Sequence, residues 1–276
     1  MSRLDETFAR LRARGERALL PYFMAGDPSL ADTRRLLIEA ARRGADVVEL
    51  GVPFSDPLAD GPVIQRAGTR ALAAGASVPR VLETVAALRA EVDVPLVLLT
   101  YYNPVLAFGL KAFVRTAVDA GVDGAIVVDM PPEESEPLAS EAAAAGLDLV
   151  YMVAPTSTPP RVRLIAKKSR GFIYVVSLTG VTGERQELPA DMAAQVAAIR
   201  RATTTPVCVG FGISTPAQVA AVGRVADGAA VGSAIVRVVE ARTGSSSLVD
   251  DVGKFIAELK APLRAPLPTP AVRARR

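Results

Sequence analysis

The chain contains no histidine and only one cysteine among its 276 residues. Without histidine, a Ser-His-Asp triad, a Cys-His pair and every metal motif that needs an imidazole are excluded. Cys208 lies between Val207 and Val209 in a predicted strand, so we interpret it as a small core residue and not as a nucleophile. Any chemistry must therefore depend on carboxylates, hydroxyls, lysine, arginine or backbone groups.

Long apolar runs and export signals are also missing from the sequence. No uninterrupted apolar stretch reaches the roughly 18 residues that suggest a transmembrane helix. The first ten residues are charged throughout and lack the apolar segment of a signal peptide. One unpaired cysteine without an export signal predicts a cytoplasmic protein that does not span a membrane.

The net charge of +3 gives no support for nucleic-acid binding. The last 15 residues contain four arginines and no acidic residue: Arg264, Arg273, Arg275 and Arg276. Four prolines in the same stretch prevent a helix, so we predict a disordered tail at 263–276 after one domain at 1–262. The rest of the chain has no dense basic stripe with interleaved aromatic residues, and a nucleic-acid partner is not predicted.

Short apolar runs alternate with amphipathic helical stretches along the chain. We predict eight strands, at 19–24, 46–50, 95–99, 124–128, 148–152, 172–176, 206–210 and 227–231. Helices are predicted at 3–14, 30–43, 79–90, 110–120, 132–145, 160–169, 192–201 and 216–222. No Gly-x-Gly-x-x-Gly loop follows the first strand, which disfavours an open dinucleotide-binding sheet. The pattern and the length predict an α/β fold, a single (β/α)8 TIM barrel with an N-terminal capping helix.

Two acidic residues stand out near the end of the second predicted strand. Glu49 closes the apolar run, and Asp60 follows eleven residues later, at the end of the next loop. Two carboxylates at the mouth of one pocket can divide acid and base work. Two structural alternatives remain open: Glu49 as an ordinary ion-pair residue, and Asp60 as a helix N-cap before Pro62.

Glycine-rich loops after the seventh and eighth strands predict a phosphate site. Gly212 lies in the first of these loops, and Gly232 and Ser233 lie in the second. Glycine lets backbone N–H groups approach an anion, and a helix beginning at Ser233 would point its positive end at the phosphate. The alternative is that these glycines form ordinary turns and that Ser233 is a simple N-cap.

Five segments together resemble the alpha subunit of tryptophan synthase, over about residues 5–260. They are FMAGDP at 23–28, ELGVPFSDPLADGP at 49–62, YYNP at 101–104, GVTG at 180–183 and GFGIS at 210–214. The resemblance implies the cleavage of indole-3-glycerol phosphate to indole and glyceraldehyde 3-phosphate, with no cofactor or metal in this chain. Tyr22, Met24 and Ala25 depart from the version of the first strand found in some members, which bears a phenylalanine.

The resemblance also implies roles for individual residues. Glu49 would transfer protons and Asp60 would bind the indole N–H. The residues expected to contact the substrate are Phe23, Ile126 and Tyr174 at the ring, and Thr182, Gly183, Gly212, Gly232 and Ser233 at the phosphate. The alternative for each of the three ring residues is an ordinary place in the core. Thr182 and Gly183 belong to the loop after the sixth strand, which is long enough to act as a lid.

A partner is implied as well, a beta subunit that carries pyridoxal phosphate, in an alpha2-beta2 tetramer. The predicted interface is the proline-stiffened segment after Glu49, together with the lid: Pro53, Phe54, Asp56, Pro57 and Gly180. Proline lowers the entropy lost on docking, and an apolar ring beside a charge suits an interface. The alternative is that Phe54 packs against the rim of the barrel.

Three rival functions remain at this point. The first is an autonomous indole-3-glycerol phosphate lyase that needs no beta partner. The second is another sugar-phosphate barrel, although a Schiff-base aldolase needs a lysine at a strand end and none of the eight strands offers one. The third is an idle barrel that only activates a partner, which the presence of both Glu49 and Asp60 disfavours.

Overall fold

The computed structural model describes residues 1–176, 192–210 and 212–264. Nine strands occur in this part of the chain, and every pairing between them is parallel. They are β1 (Ala18–Met24), β2 (Val48–Gly51), β3 (Leu96–Thr100), β4 (Gly124–Val127), β5 (Asp148–Leu149), β6 (Met152–Val153), β7 (Ile173–Val176), β8 (Val207–Gly210) and β9 (Gly228–Val231). Their order in the sheet is β5-β4-β3-β2-β1-β9-β8-β7-β6.

The short strands β5 and β6 are two halves of the fifth predicted strand. β5 pairs with β4, whereas β6 pairs with β7. Between them, the Val150 N–H donates to the Ala125 carbonyl at 3.0 Å, and the Tyr151 carbonyl accepts from the Tyr174 N–H at 3.1 Å. The strand therefore exchanges one neighbour for the other at its midpoint, and this exchange closes the ring. The predicted eight-fold barrel is confirmed, with one interrupted strand.

Helices follow the strands and surround the barrel. They are α1 (Arg3–Ala13), α2 (Leu30–Arg43), α3 (Pro62–Ala73), α4 (Val78–Leu88), α5 (Tyr102–Phe108), α6 (Leu110–Asp119), α7 (Glu136–Ala145), α8 (Pro159–Lys168), α9 (Met192–Arg200), α10 (Pro216–Gly223), α11 (Ser233–Arg242) and α12 (Leu248–Lys260). A short 3-10 helix, Ala261–Leu263, follows α12. All eight of the predicted ranges are helical and α11 begins at Ser233 as expected, while α5 and α12 were not predicted and α3 was implied only by the alternative that Asp60 is an N-cap.

The N-terminal helix α1 closes the base of the barrel. A capping box between Ser2 and Asp5 fixes its start. Three of its residues, Leu4, Phe8 and Leu11, belong to the same buried cluster as interior residues of the strands. The Phe8 and Phe172 rings lie 5.9 Å apart, centroid to centroid. The prediction of a capping helix is confirmed.

A buried ion pair joins the C-terminal helix to the base. Asp46, just before β2, accepts hydrogen bonds from the Lys260 ammonium and the Leu19 N–H, both at 2.8 Å. The ammonium also donates to the Arg17 carbonyl at 2.9 Å. Leu263 is fully buried, so packing continues one residue past the predicted boundary at 262. Residues 265–276 of the predicted tail lie outside the described part of the chain.

The described helices and acidic side chains bear on membranes and metals. Among the described residues, no single helix is long and apolar enough to cross a membrane. Taken together, α3 and α4 reach the length and composition of a membrane-spanning segment, but the pair is bent by 92°. In the same residues, no group of three or more cysteine, aspartate or glutamate side chains is arranged to hold a metal ion.

Candidate active site

Glu49 lies on β2, with its side chain on the inner face of the barrel. Its neighbours in register are Tyr22 on β1 and Val97 on β3, and Val97 belongs to the interior cluster. Glu49 is 1% exposed, and its Oε1 atom has no hydrogen-bond partner among the described residues. Burial raises the pKa of this carboxyl to about 8. At neutral pH it therefore holds a proton that it can donate and later recover.

Asp60 lies in the loop between β2 and α3 and is only partly buried. Burial raises the pKa of its carboxyl to about 6, while a hydrogen bond from the Tyr101 hydroxyl favours the charged form. The same phenol oxygen accepts from the Ala59 N–H at 2.9 Å. Asp60 is not the helix cap that the structural alternative required, because the N-cap of α3 is Gly61.

Tyr101 is a site residue that the sequence reasoning did not identify as such. It follows β3 directly, is 4% exposed, and holds the loop that carries Asp60 through the contacts just described. The YYNP segment was part of the resemblance, but nothing in its local pattern links it to Asp60. A tyrosine at the C-terminal end of a barrel strand is the one signal that could have suggested a role, because active sites form at that end.

Two tyrosines cross the inner face of the barrel above glycines of a neighbouring strand. An added Cβ on Gly51 would lie 2.0 Å from the Tyr22 hydroxyl oxygen, and one on Gly210 would lie 2.0 Å from the Tyr174 hydroxyl oxygen. Only glycine allows these close approaches. Burial and then nearby charges, that of Glu49 among them, raise the pKa of both phenols. The structure thus brings Tyr174 to the side of the sheet that carries Glu49.

The two other predicted ring contacts fall on opposite faces. Ile126 is fully buried in the interior cluster with Val97. Phe23 instead belongs to the cluster between strands and helices, together with its register partner Leu50. Successive side chains of a strand point to opposite faces, so Tyr22 takes the inner position and Phe23 the outer one. The structure does not bring Phe23 to the acidic residues.

The predicted phosphate loops follow β8 and β9, which are neighbours in the sheet. Gly232 is the N-cap of α11, and no side chain of the described residues caps that helix, so backbone N–H groups of its first turn, beginning at Ser233, are available to an anion. A Cβ on Gly232 would find its nearest atom at 3.7 Å. Gly212 is exposed, with a φ of 71°. Thr182 and Gly183 lie outside the described residues.

The predicted interface segment is only partly exposed. Pro53 is buried, Phe54 and Pro57 are half-buried, and Asp56 is exposed. The Phe54 ring packs on Tyr101 with centroids 5.3 Å apart, as the structural alternative proposed. The large apolar side chain that this segment does expose is Leu58, at 94%. Gly180 lies outside the described residues.

An ionic network connects three parts of the mouth. The Arg70 guanidinium, on α3, donates two hydrogen bonds of 2.8 Å to the buried carboxylate of Asp27 in the loop after β1. Its third nitrogen donates to Glu240 on α11 at 2.7 Å. Arg70 thereby ties the helix that follows Asp60 to the helix that begins at the phosphate loop.

Comparison with known proteins identifies relatives along nearly the whole chain. A family model described as Tryptophan synthase alpha chain matches residues 8–264. The Tryptophan synthase alpha chain of Geobacter sp. (strain M21) is 49% identical over 260 residues, covering 94% of this chain and 97% of that protein. The corresponding protein of Geobacter sulfurreducens is 50% identical, covering 94% and 98%. The crystal structure of tryptophan synthase subunit alpha from Legionella pneumophila has a TM-score of 0.88 at 36% identity, covering 95% of this chain and 98% of that one.

Proposed function

The chain belongs to the tryptophan synthase alpha chain family, and we propose how its residues carry out the reaction of that family. The protein is a lyase of tryptophan biosynthesis that cleaves indole-3-glycerol phosphate to indole and glyceraldehyde 3-phosphate. The cleavage is a retro-aldol reaction. The indole ring must first accept a proton at C3, so that it can take up the electrons of the breaking carbon–carbon bond.

Glu49 performs both proton transfers in this proposal. Its carboxylic acid protonates C3, which leaves a positive charge at the ring nitrogen. The resulting carboxylate then removes the proton of the glycerol hydroxyl next to C3. The C3–carbon bond breaks, its electrons restore the indole ring, and the hydroxyl oxygen becomes the aldehyde oxygen. Glu49 ends as it began, protonated, which agrees with a pKa of about 8.

Asp60 serves as the negative partner of the indole nitrogen. With a pKa of about 6 it is largely ionised at neutral pH, and its carboxylate can accept the indole N–H and stabilise the charge that develops there. The two acids thus differ in protonation state at the same pH, as paired acids with different tasks require.

The substrate's phosphate is held at the rim by Gly212, Gly232 and Ser233, and by Thr182 and Gly183 of the lid loop. Binding at the phosphate fixes the substrate remotely from the reacting carbon and supplies positioning energy. Tyr174 and Ile126 contact the indole ring from the interior. We retain no ring contact for Phe23, and we assign no cofactor to this chain.

One observation carries this proposal: Glu49 is fully buried on the inner face of the barrel, and its Oε1 has no partner among the described residues. The test is indole release from indole-3-glycerol phosphate by the chain and by Glu49→Gln. The amide is isosteric but cannot shuttle a proton, so turnover should fall by about 10²–10⁴. Calorimetry with glycerol phosphate should show unchanged affinity. Turnover above about a tenth of the original rate would contradict the role of Glu49.

Asp60→Asn is the companion variant. A neutral amide cannot compensate a positive indole ring, so turnover should be severely reduced, while glycerol phosphate still binds. Normal turnover in this variant would remove Asp60 from the mechanism and leave the role of Glu49 intact.

The beta subunit of tryptophan synthase is the partner of this cytoplasmic enzyme, in an alpha2-beta2 tetramer, and pyridoxal phosphate belongs to that subunit. The segment of Pro53, Phe54, Asp56 and Pro57 forms part of the contact, together with Gly180. The exposed Leu58 in the same segment supports this assignment, because an exposed leucine gains by burial at an interface.

The interface test uses two leucine variants. Leu58→Asp should reduce the stimulation of indole release by added beta subunit while leaving basal turnover unchanged. Leu72→Asp, on the exposed side of α3, should leave both unchanged. Full stimulation in Leu58→Asp would contradict the interface, and no stimulation of the unmodified chain would favour the autonomous lyase.

A further inference from the structure

The Tyr22 hydroxyl is a buried polar group for which the described residues offer no strong hydrogen-bond partner. The residue is 5% exposed, and the acceptor that the described residues offer its hydroxyl is the Met24 sulfur, at 3.9 Å. A thioether is a weak acceptor. Buried polar groups in folded proteins nearly always have a proper partner, so this hydroxyl calls for an explanation.

The position of the hydroxyl is fixed by β1 and β2. Tyr22 pairs in register with Glu49, and its ring crosses Gly51, two residues nearer the mouth. An added Cβ on Gly51 would lie 2.0 Å from the phenol oxygen and 2.6 Å from Cζ. The charges of Asp60 and Glu49, after burial, raise the pKa of this phenol well above its usual range, so both carboxyl groups act on it. The register with Glu49 and the close approach to Gly51 therefore place the hydroxyl on the inner face, beside the strand that carries Glu49 and toward the mouth.

The hydroxyl and the Glu49 Oε1 atom share one feature. Neither is bonded to the other, and neither has an oxygen or nitrogen partner in the described part of the chain. Both are on the inner face, where the substrate must enter. A polar atom of the ligand would satisfy each of them.

The proposed roles of Glu49 and Asp60 identify that atom, and the inference rests on them. Asp60 binds the ring nitrogen, and Glu49 acts at C3 and on the adjacent hydroxyl. Between the nitrogen and C3 the indole ring has only a C–H group. A donor beside Glu49 on the inner face is therefore expected to meet the substrate oxygen on which Glu49 acts, the hydroxyl oxygen on the glycerol carbon attached to C3.

We propose that the Tyr22 hydroxyl donates a hydrogen bond to this substrate oxygen and makes Tyr22 a determinant of specificity for a hydroxylated side chain. When Glu49 takes the proton from that oxygen and the carbon–carbon bond breaks, the oxygen becomes a carbonyl. Tyr22 keeps its own proton throughout and continues to donate to the aldehyde product. No further reactant is needed.

The test compares two ligands in a protein that cannot turn over. Calorimetry measures the affinity of Glu49→Gln, with and without Tyr22→Phe, for indole-3-glycerol phosphate and for the analogue whose glycerol chain lacks both hydroxyls. Tyr22→Phe should weaken binding of the substrate about 3- to 10-fold, as expected for one neutral hydrogen bond, and leave the analogue unaffected. Repeating the comparison in Asp60→Asn keeps Glu49 intact.

Met24→Leu is the matched control, because it removes the thioether and leaves the hydroxyl in place; neither ligand should bind more weakly. Equal weakening of both ligands by Tyr22→Phe would show a packing role and overturn the proposal, as would unchanged affinity for both. If the proposed role of Glu49 is wrong, the Glu49→Gln variant will itself release indole. That result is distinct from any of the binding outcomes.

Discussion

Two carboxyl groups three residues apart, Asp46 just before β2 and Glu49 within it, have different surroundings. At the base, Asp46 accepts from the Lys260 ammonium and the Leu19 N–H. At the mouth, Glu49 Oε1 has no partner in the described residues. Burial raises the pKa of both, but only Asp46 has a buried cation that opposes the shift. At the base, Asp46 attaches α12; at the mouth, Glu49 is available to a substrate. In TIM barrels the base generally serves stability and the mouth carries the active site.

The largest expected change comes from breaking the pair at the base. Lys260→Met leaves the Asp46 carboxylate buried without its cation, which should lower the free energy of unfolding by about 3–5 kcal/mol. Urea unfolding measures the change. Lys254→Met is the control on the same helix, because its pair with Asp250 is exposed to solvent and should contribute little to stability. Equal effects of the two variants would show that the buried pair has no special role.

A smaller effect, of opposite sign, is expected at the mouth. The pKa of Glu49 is about 8 in the folded chain and near 4.5 when unfolded. Between these values the folded state binds more protons, so stability falls as the pH rises. Glu49→Gln lacks this titration and should gain about 2 kcal/mol relative to the unmodified chain between pH 6 and pH 8. Urea unfolding of both proteins at each pH provides the measurement, and parallel curves would contradict it.

Substitution of glycines at the mouth and at the base of the barrel should also have different effects. Gly232→Asp places a side chain and a negative charge at the phosphate site, and should weaken glycerol phosphate binding by at least about tenfold, or about 1.4 kcal/mol. Gly212→Asp should weaken it too, but a φ of 71° adds backbone strain there. Gly44→Ala, at the base with a φ of 107°, should destabilise the fold without changing the affinity. Calorimetry and thermal unfolding separate these outcomes, and unchanged affinity in both mouth variants would place the phosphate elsewhere.

The smallest effect is expected at Tyr101. Tyr101→Phe removes a hydrogen bond that favours the charged form of Asp60, so the pKa of Asp60 should rise and the acid limb of the turnover profile should move to higher pH. Stability should fall by no more than about 1 kcal/mol. Tyr102→Phe, beside it, is the control. An unchanged pH profile of turnover in Tyr101→Phe would show that this hydroxyl does not affect the pKa of Asp60.

Much of this architecture could be predicted from the sequence. The alternation of apolar runs and helical stretches predicts the barrel, and Glu49 is recognisable because a carboxyl group ends an apolar strand. The orientation of Phe23 was not predictable in the same way. All seven residues of β1 are buried, since both faces of a barrel strand are covered, and such a run carries no signal for which residues face inward.

Most of the other features that could not be predicted depend on contacts between residues far apart in the sequence. The hydroxyl of Tyr101 reaches Ala59 across 42 positions in the chain, and no local pattern encodes that distance. The interruption of the fifth strand depends on which neighbours Val150 and Tyr151 meet, and only the closed ring determines this. The half-buried position of Phe54 likewise depends on its contact with the Tyr101 ring.

The central claim is that Glu49 is held buried and protonated for the reaction, without a partner for its Oε1 atom among the described residues. Carbon-13 NMR of glutamate-labelled protein tests it directly, with the Glu49 carboxyl signal identified by its absence in Glu49→Gln. This signal should titrate with a midpoint near pH 8 in the free chain. A midpoint near 4.5, the ordinary value for glutamate, would contradict it.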